Sequence, residues 1–123
     1  MKNKEDIMNS VKLSRYNSLF VKEISNILQN EVKDNDIKFV TVTGCEITSD
    51  LSFAKVFYTV LDDTKKDSTR KALEKAKGFI RGEISKRVDI RHTPELRFEY
   101  DKSEEYGNKI DNLIKEIHEK DSN

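Results

Sequence analysis

ALEKAKGFIRGEISKRV, residues 72–88, is the stretch whose reading decides the fold. Leu73, Ala76, Ile80, Ile84 and Val88 recur every three or four residues and make one apolar helical face. Lys71, Lys75, Lys77, Arg81, Lys86 and Arg87 supply positive charge around it. Gly78 interrupts the pattern, because glycine inside a helix costs about 1 kcal/mol against alanine. The stretch therefore reads as two helical runs joined at a kink over Ala76, Lys77 and Gly78. Phe79 and Ile80, at the start of the second run, read as core residues, with base stacking as the alternative.

Working outward from that stretch, each flank reads as strand. Upstream, FAKVFYTVL at residues 53–61 sets Ala54, Val56, Tyr58 and Val60 on one face and Lys55, Phe57 and Thr59 on the other. Before it, IKFVTVTGCEIT at residues 37–48 is rich in β-branched residues. Val40 and Val42 alternate in one parity, Cys45 and Ile47 in the other, which predicts a bulge near Gly44. The short turn at Ser49-Asp50-Leu51-Ser52 makes these two strands an antiparallel pair. Asp62-Asp63-Thr64 ends the second strand and offers a helix N-cap. Downstream, Pro94 forces Arg91-His92-Thr93 into a loop. Leu96, Phe98 and Tyr100 then alternate with Arg97 and Glu99 as a third strand.

Helices are predicted at both ends. Leu13, Tyr16, Phe20, Ile24, Ile27, Leu28 and Val32 form one stripe over residues 10–33, closed by Asp34-Asn35-Asp36. Asp101 and Glu104 fit a capping box for a last helix with Tyr106, Ile110, Leu113, Ile114 and Ile117 on one face. The order is α-β-β-α-kink-α-β-α, an α+β domain in which helices cover one face of a three-stranded sheet. Residues 1–9 read as a flexible N-terminal tail, 10–118 as the domain and 119–123 as a flexible C-terminal tail.

With 123 residues, the chain is long enough for one domain and a modest core. Its net charge is zero, so only the distribution of charge is informative. Residues 65–91 hold ten Lys/Arg against four Asp/Glu, whereas residues 99–121 hold four against eight. This asymmetry gives the folded protein one basic side, suited to a polyanion, with a plain solvated surface as the alternative. Cys45 is the single cysteine, which excludes an internal disulfide and a multi-cysteine zinc site. His92 and His118 are too isolated for a metal site or a triad. No nucleophile–base constellation stands out, so no catalytic residue, cofactor or metal is expected. Asn108-Lys109-Ile110-Asp111 spells the guanine-reading string of GTPases, but no phosphate-binding loop accompanies it. No apolar run approaches the ~20 residues of a membrane helix, and the first ten residues lack an apolar signal core, so the cytoplasm is the expected compartment.

The order of elements resembles the KH domain in its type II arrangement, where a GxxG loop between the second and third helices clamps single-stranded nucleic acid. Here Ala76-Lys77-Gly78 stands at that junction instead. AKGFIR, residues 76–81, is similar to the AxG-FIR signature of ribosome-binding factor A, a KH-like family. Val40-Thr41-Val42-Thr43, Ser49-Asp50-Leu51, Ala54-Lys55-Val56, Pro94-Glu95-Leu96, Phe98, Tyr100-Asp101, Ser103 and Gly107 resemble further pieces of the family pattern in the same order. The turn Asp34-Asn35-Asp36 replaces the family's common Asp-Pro-Arg.

The resemblance implies a non-catalytic assembly factor of the small (30S) ribosomal subunit. It implies binding to 16S rRNA, a part in its late maturation and processing, support of growth in the cold, and release by an assembly GTPase. A monomer with no membrane contact is expected. The expected RNA-binding residues are Lys71, Lys75, Lys77, Arg81, Lys86 and Arg87, with Arg91 and His92 in the following loop. They cannot all point one way, and about half are expected to touch RNA. Small residues at the kink would let RNA backbone approach, and amides near Phe79 and Ile80 would add a helix-end anion site.

Overall fold

The structure, a computed structural model, describes the backbone of residues 4–103 and the side chains of residues 10–103. The expected last helix and C-terminal tail lie outside the described residues. Helix α1 (Lys4–Asn30) leads into β1 (Val40–Ile47) and β2 (Phe53–Val60). A short 3-10 turn (Asp63–Lys65) precedes α2 (Lys66–Arg87), and β3 (Glu95–Tyr100) follows. α1 begins inside the segment read as a tail and ends at Asn30, short of the expected residue 33. Asp36 donates its amide to Asp34 Oδ1 at 2.9 Å, a side-chain turn that competes with helical hydrogen bonding just beyond that end.

The apolar stripes meet on one side of the sheet. Phe20, Ile24, Ile27 and Leu28 of α1 are buried together with Ala54, Val56, Tyr58 and Val60 of β2, and with Leu73, Ile80 and Ile84 of α2. Each fully buried side chain of this size contributes about 1.5–3 kcal/mol relative to exposure. β1 pairs antiparallel with β2, and the register shifts between Val42 and Gly44, where Thr43 becomes the extra residue. That bulge puts Val40, Val42, Cys45 and Ile47 on the same buried face despite their opposite parity. Burial also pushes the Cys45 thiol up to about 12, with the Glu46 charge adding to the effect. β3 joins the other edge of β2 in parallel, so the sheet order is β1-β2-β3.

The expected break between two helices is absent. α2 runs as one helix through Ala76, Lys77 and Gly78, and Gly78 has no positive φ. The energetics favour continuity: Leu73 before Gly78, and Ile80 and Ile84 after it, are all fully buried on the same face. Three such side chains at about 1.5–3 kcal/mol each outweigh the ~1 kcal/mol cost of one glycine. No second helix starts at Phe79, so the amides there lie in a helix interior, where they serve the helix's own bonding. The anion site expected at that start is therefore not formed.

Two contacts fix the placement of α2. The buried Thr69 hydroxyl donates to Asp36 O at 2.7 Å, tying the first half of α2 to the turn after α1. Arg81 donates from Nε to Pro94 O at 3.2 Å and from a terminal nitrogen to Thr93 O at 2.6 Å, anchoring the loop that feeds β3.

Candidate nucleic-acid interface

The cations expected to bind RNA have different surroundings. Arg87 faces three carboxylates, with Glu31 at 3.3 Å, Glu83 at 3.4 Å and Glu23 at 3.7 Å. Desolvation opposes its charge, but hydrogen bonds to Glu31 and Glu83 outweigh it and hold the guanidinium above its ordinary range. Arg87 thus bridges the end of α2 to α1. Arg81 is engaged by the two loop carbonyls. Lys71 pairs with Asp67 at 3.2 Å, Lys77 with Glu74 at 2.8 Å and Lys86 with Glu83 at 3.5 Å, all within about one helical turn. Hydrogen bonds from Arg70 and Lys71 hold the Asp67 carboxyl below its usual range. Such surface pairs stabilise a helix by only about 0.2–0.5 kcal/mol each, so a phosphate competes for these lysines at little cost.

Lys75, Arg91 and His92 are exposed, and none has an ion pair among the described residues. Arg91 and His92 sit in the loop between α2 and β3. Lys75 stands at the centre of α2 beside a groove of about 330 Å³. One wall of the groove is Ala72, Lys75, Ala76 and Phe79 from α2. The other is Glu31, Val32, Lys33 and Asp34, the chain just past α1. Of the Ala76–Gly78 stretch, Ala76 lines this groove between two elements. Gly78 lies outside the groove lining, and a Cβ added there would meet nothing within 4 Å.

Phe79 departs from the sequence reading. Ile80 is fully buried as expected, but Phe79 is 48% exposed and turns its ring to the groove. In a continuous helix the two adjacent side chains diverge by about 100°, so only one can join the buried face. The ideal spacing Leu73, Ala76, Ile80, Ile84 already fills that face. Lys33 is the groove residue that sequence reasoning missed. It precedes the Asp34-Asn35-Asp36 turn, and only the packing of α1 against α2 brings it near Lys75.

A second apolar patch, Phe39 (57% exposed) and Leu61 (81% exposed), lies at the end of the β1–β2 pair, where Leu61 N bonds Phe39 O at 3.4 Å. Among the described residues, no helix is long and apolar enough to cross a membrane.

Fold and site define a small α+β domain that displays cations, small residues and an exposed ring from one long helix. The family profile for ribosome-binding factor A matches residues 12–114. The chain belongs to the ribosome-binding factor A family. It is 50% identical over 115 residues to ribosome-binding factor A of Staphylococcus carnosus, covering 93% of this chain and all of that protein. The corresponding protein of Staphylococcus epidermidis is 49% identical over 115 residues, covering 93% of this chain and 99% of its own length. Among solved structures, a putative ribosome binding factor A from Thermotoga maritima superposes with a TM-score of 0.62 at 29% identity, over 73% of this chain and 87% of that one. The crystal structure of ribosome-binding factor A from Thermus thermophilus gives 0.66 at 18% identity, over 72% and 94%. A Thermus thermophilus RbfA homology model, fitted into a cryo-EM map of a 30S–RbfA complex, gives 0.60 at 19% identity, over 70% and 91%.

Proposed function

We propose that this protein is a non-catalytic assembly factor that binds the small ribosomal subunit through the cations displayed by α2. It acts in the cytoplasm as a monomer, assists late maturation and processing of 16S rRNA, supports growth in the cold, and leaves with the help of an assembly GTPase. The observation that carries the reading is the family match over nearly the whole chain, joined to a row of exposed cations on α2. Ribosomal RNA is a dense array of phosphates. Lysine and arginine bind it by Coulomb attraction and by release of condensed counterions. A rigid helix suits recognition of a folded RNA surface by shape and phosphate, without a base-by-base code. Lys75 leads the contact set because no described carboxylate holds it. Lys71, Lys77 and Lys86 join by exchanging weak intrahelical pairs, and Arg91 and His92 extend the surface into the next loop.

Co-sedimentation with small subunits on sucrose gradients tests this. Association should be present at low salt, decline steeply as salt rises, and resist competition by random single-stranded oligoribonucleotides. Equal competition by such oligonucleotides would replace the ribosome-specific reading with a general single-strand binder of KH-like type. Changing Lys71, Lys75 and Lys77 together to Glu should abolish association; retained binding would point to an adaptor using another surface.

A further inference from the structure

The groove between α2 and the end of α1 has features that simple phosphate attraction does not require. Phe79 is a large ring left 48% exposed in the middle of an otherwise charged helix surface. Ala76, one turn back, and Val32 across the groove add small apolar surface to a lining that is otherwise largely charged. At about 330 Å³ the groove falls at the lower end of the range for small-ligand sites, enough for one flat heterocycle.

The charges around the ring are sorted. Lys33 and Lys75, on opposite walls, have no ion pair or hydrogen bond among the described residues. Of the groove's two acidic residues, Glu31 is held by Arg87 at 3.3 Å, while Asp34 keeps its charge with one oxygen, Oδ1, accepting the Asp36 amide at 2.9 Å. With Glu31 paired, the two lysines outnumber the one remaining carboxylate in the groove, Asp34. An apolar ring flanked by two free ammonium groups complements a base joined to its phosphates.

We infer that this groove takes one unpaired nucleotide of the bound RNA, its base stacked on Phe79 and its flanking phosphates held by Lys33 and Lys75. The inference rests on the ribosomal reading above and deepens it, by adding a single stacking position to a surface that otherwise reads phosphate and shape. Single-stranded loops and bulges offer bases that can splay onto an aromatic side chain, and every base has a face to offer. Ala76 provides the room: a longer side chain there would project into the space beside the ring.

The test titrates small subunits with the full-length protein and with Phe79→Ala, Phe79→Leu and Phe79→Tyr, each across a salt series. Stacking predicts that Ala and Leu both weaken binding about tenfold to a hundredfold at unchanged salt slope, while Tyr stays near the parent. The double variant Lys33→Gln, Lys75→Gln should instead flatten the salt slope by roughly one to two. Phe79→Leu binding as well as Phe79→Tyr would overturn the inference in favour of an apolar protein surface in the groove. Unchanged binding by Phe79→Ala would overturn it outright. In both cases the ribosomal reading survives. If the parent protein itself fails to associate with small subunits, that reading falls and this inference with it. Because Leu and Tyr both preserve bulk at an exposed position, their comparison does not depend on the fold of the Ala variant.

Discussion

Arg87 and Lys75 are cations on the same helix with opposite surroundings. Arg87 is enclosed by Glu23, Glu31 and Glu83, and its charge serves to join α2 to α1. Lys75, about three turns earlier, faces the groove with no described partner. Phe79 and Ile80 repeat the contrast in apolar form: Ile80 is fully buried, and its neighbour is half exposed. Residue type alone does not make an interface. What a side chain can offer a partner depends on what the fold has already used.

The sharpest way to break the contrast is at the apolar pair. Ile80→Ala removes a fully buried side chain from between two helices and the sheet, and should cost about 2–5 kcal/mol of stability, read by urea denaturation. Phe79→Ala should cost far less stability and show its effect in RNA binding. Equal losses of stability would mean that the Phe79 ring is a packing element. A smaller effect is expected at the cations. Arg87→Met should lower the melting temperature, by less than Ile80→Ala does, while the salt slope of ribosome binding stays unchanged. A flatter slope for that variant would place Arg87 on RNA despite its three carboxylates.

The smallest effect tests the path of α2 between these sites. A Cβ at Gly78 meets nothing, and the helix is continuous there, so Gly78→Ala should stabilise the protein by about 1 kcal/mol. A thermal melt measures it. Destabilisation would show that the backbone at Gly78 must leave helical geometry, as the expected kink requires.

These contrasts mark how far the sequence could be read. The strands were legible because burial on one face leaves a parity, and even the bulge showed as a change of parity at Gly44. The helical face of α2 was legible from its spacing. The continuity of α2 was not, since a local rule against glycine says nothing of the tertiary burial on either side. Among the site residues, exposure of Lys75 followed from its place off the stripe. The partners of Arg81 and Arg87 did not follow, because Thr93, Pro94, Glu23 and Glu31 are distant in the chain and only packing brings them close. Lys33 escaped for the same reason. The ring of Phe79 was misread because a hydrophobic residue beside a core residue looks like core until helical geometry chooses between them.

The parallel pairing of β3 with β2 has a further consequence, for how this surface comes into being. Strands that pair in parallel need a long crossover, and here that crossover contains α2. The segment proposed to meet the partner is thus also the link that closes the sheet. Long-range pairings of this kind lose loop entropy before their contacts offset it, so they tend to form late. The groove needs α1 as well, since Val32 and Lys33, just past its end, supply the second wall. A synthetic peptide of α2 would carry the exposed lysines and the ring, yet only half of the groove. Recognition by the proposed surface would be coupled to completion of the fold, and a partly folded chain would present charge without the shape of the groove.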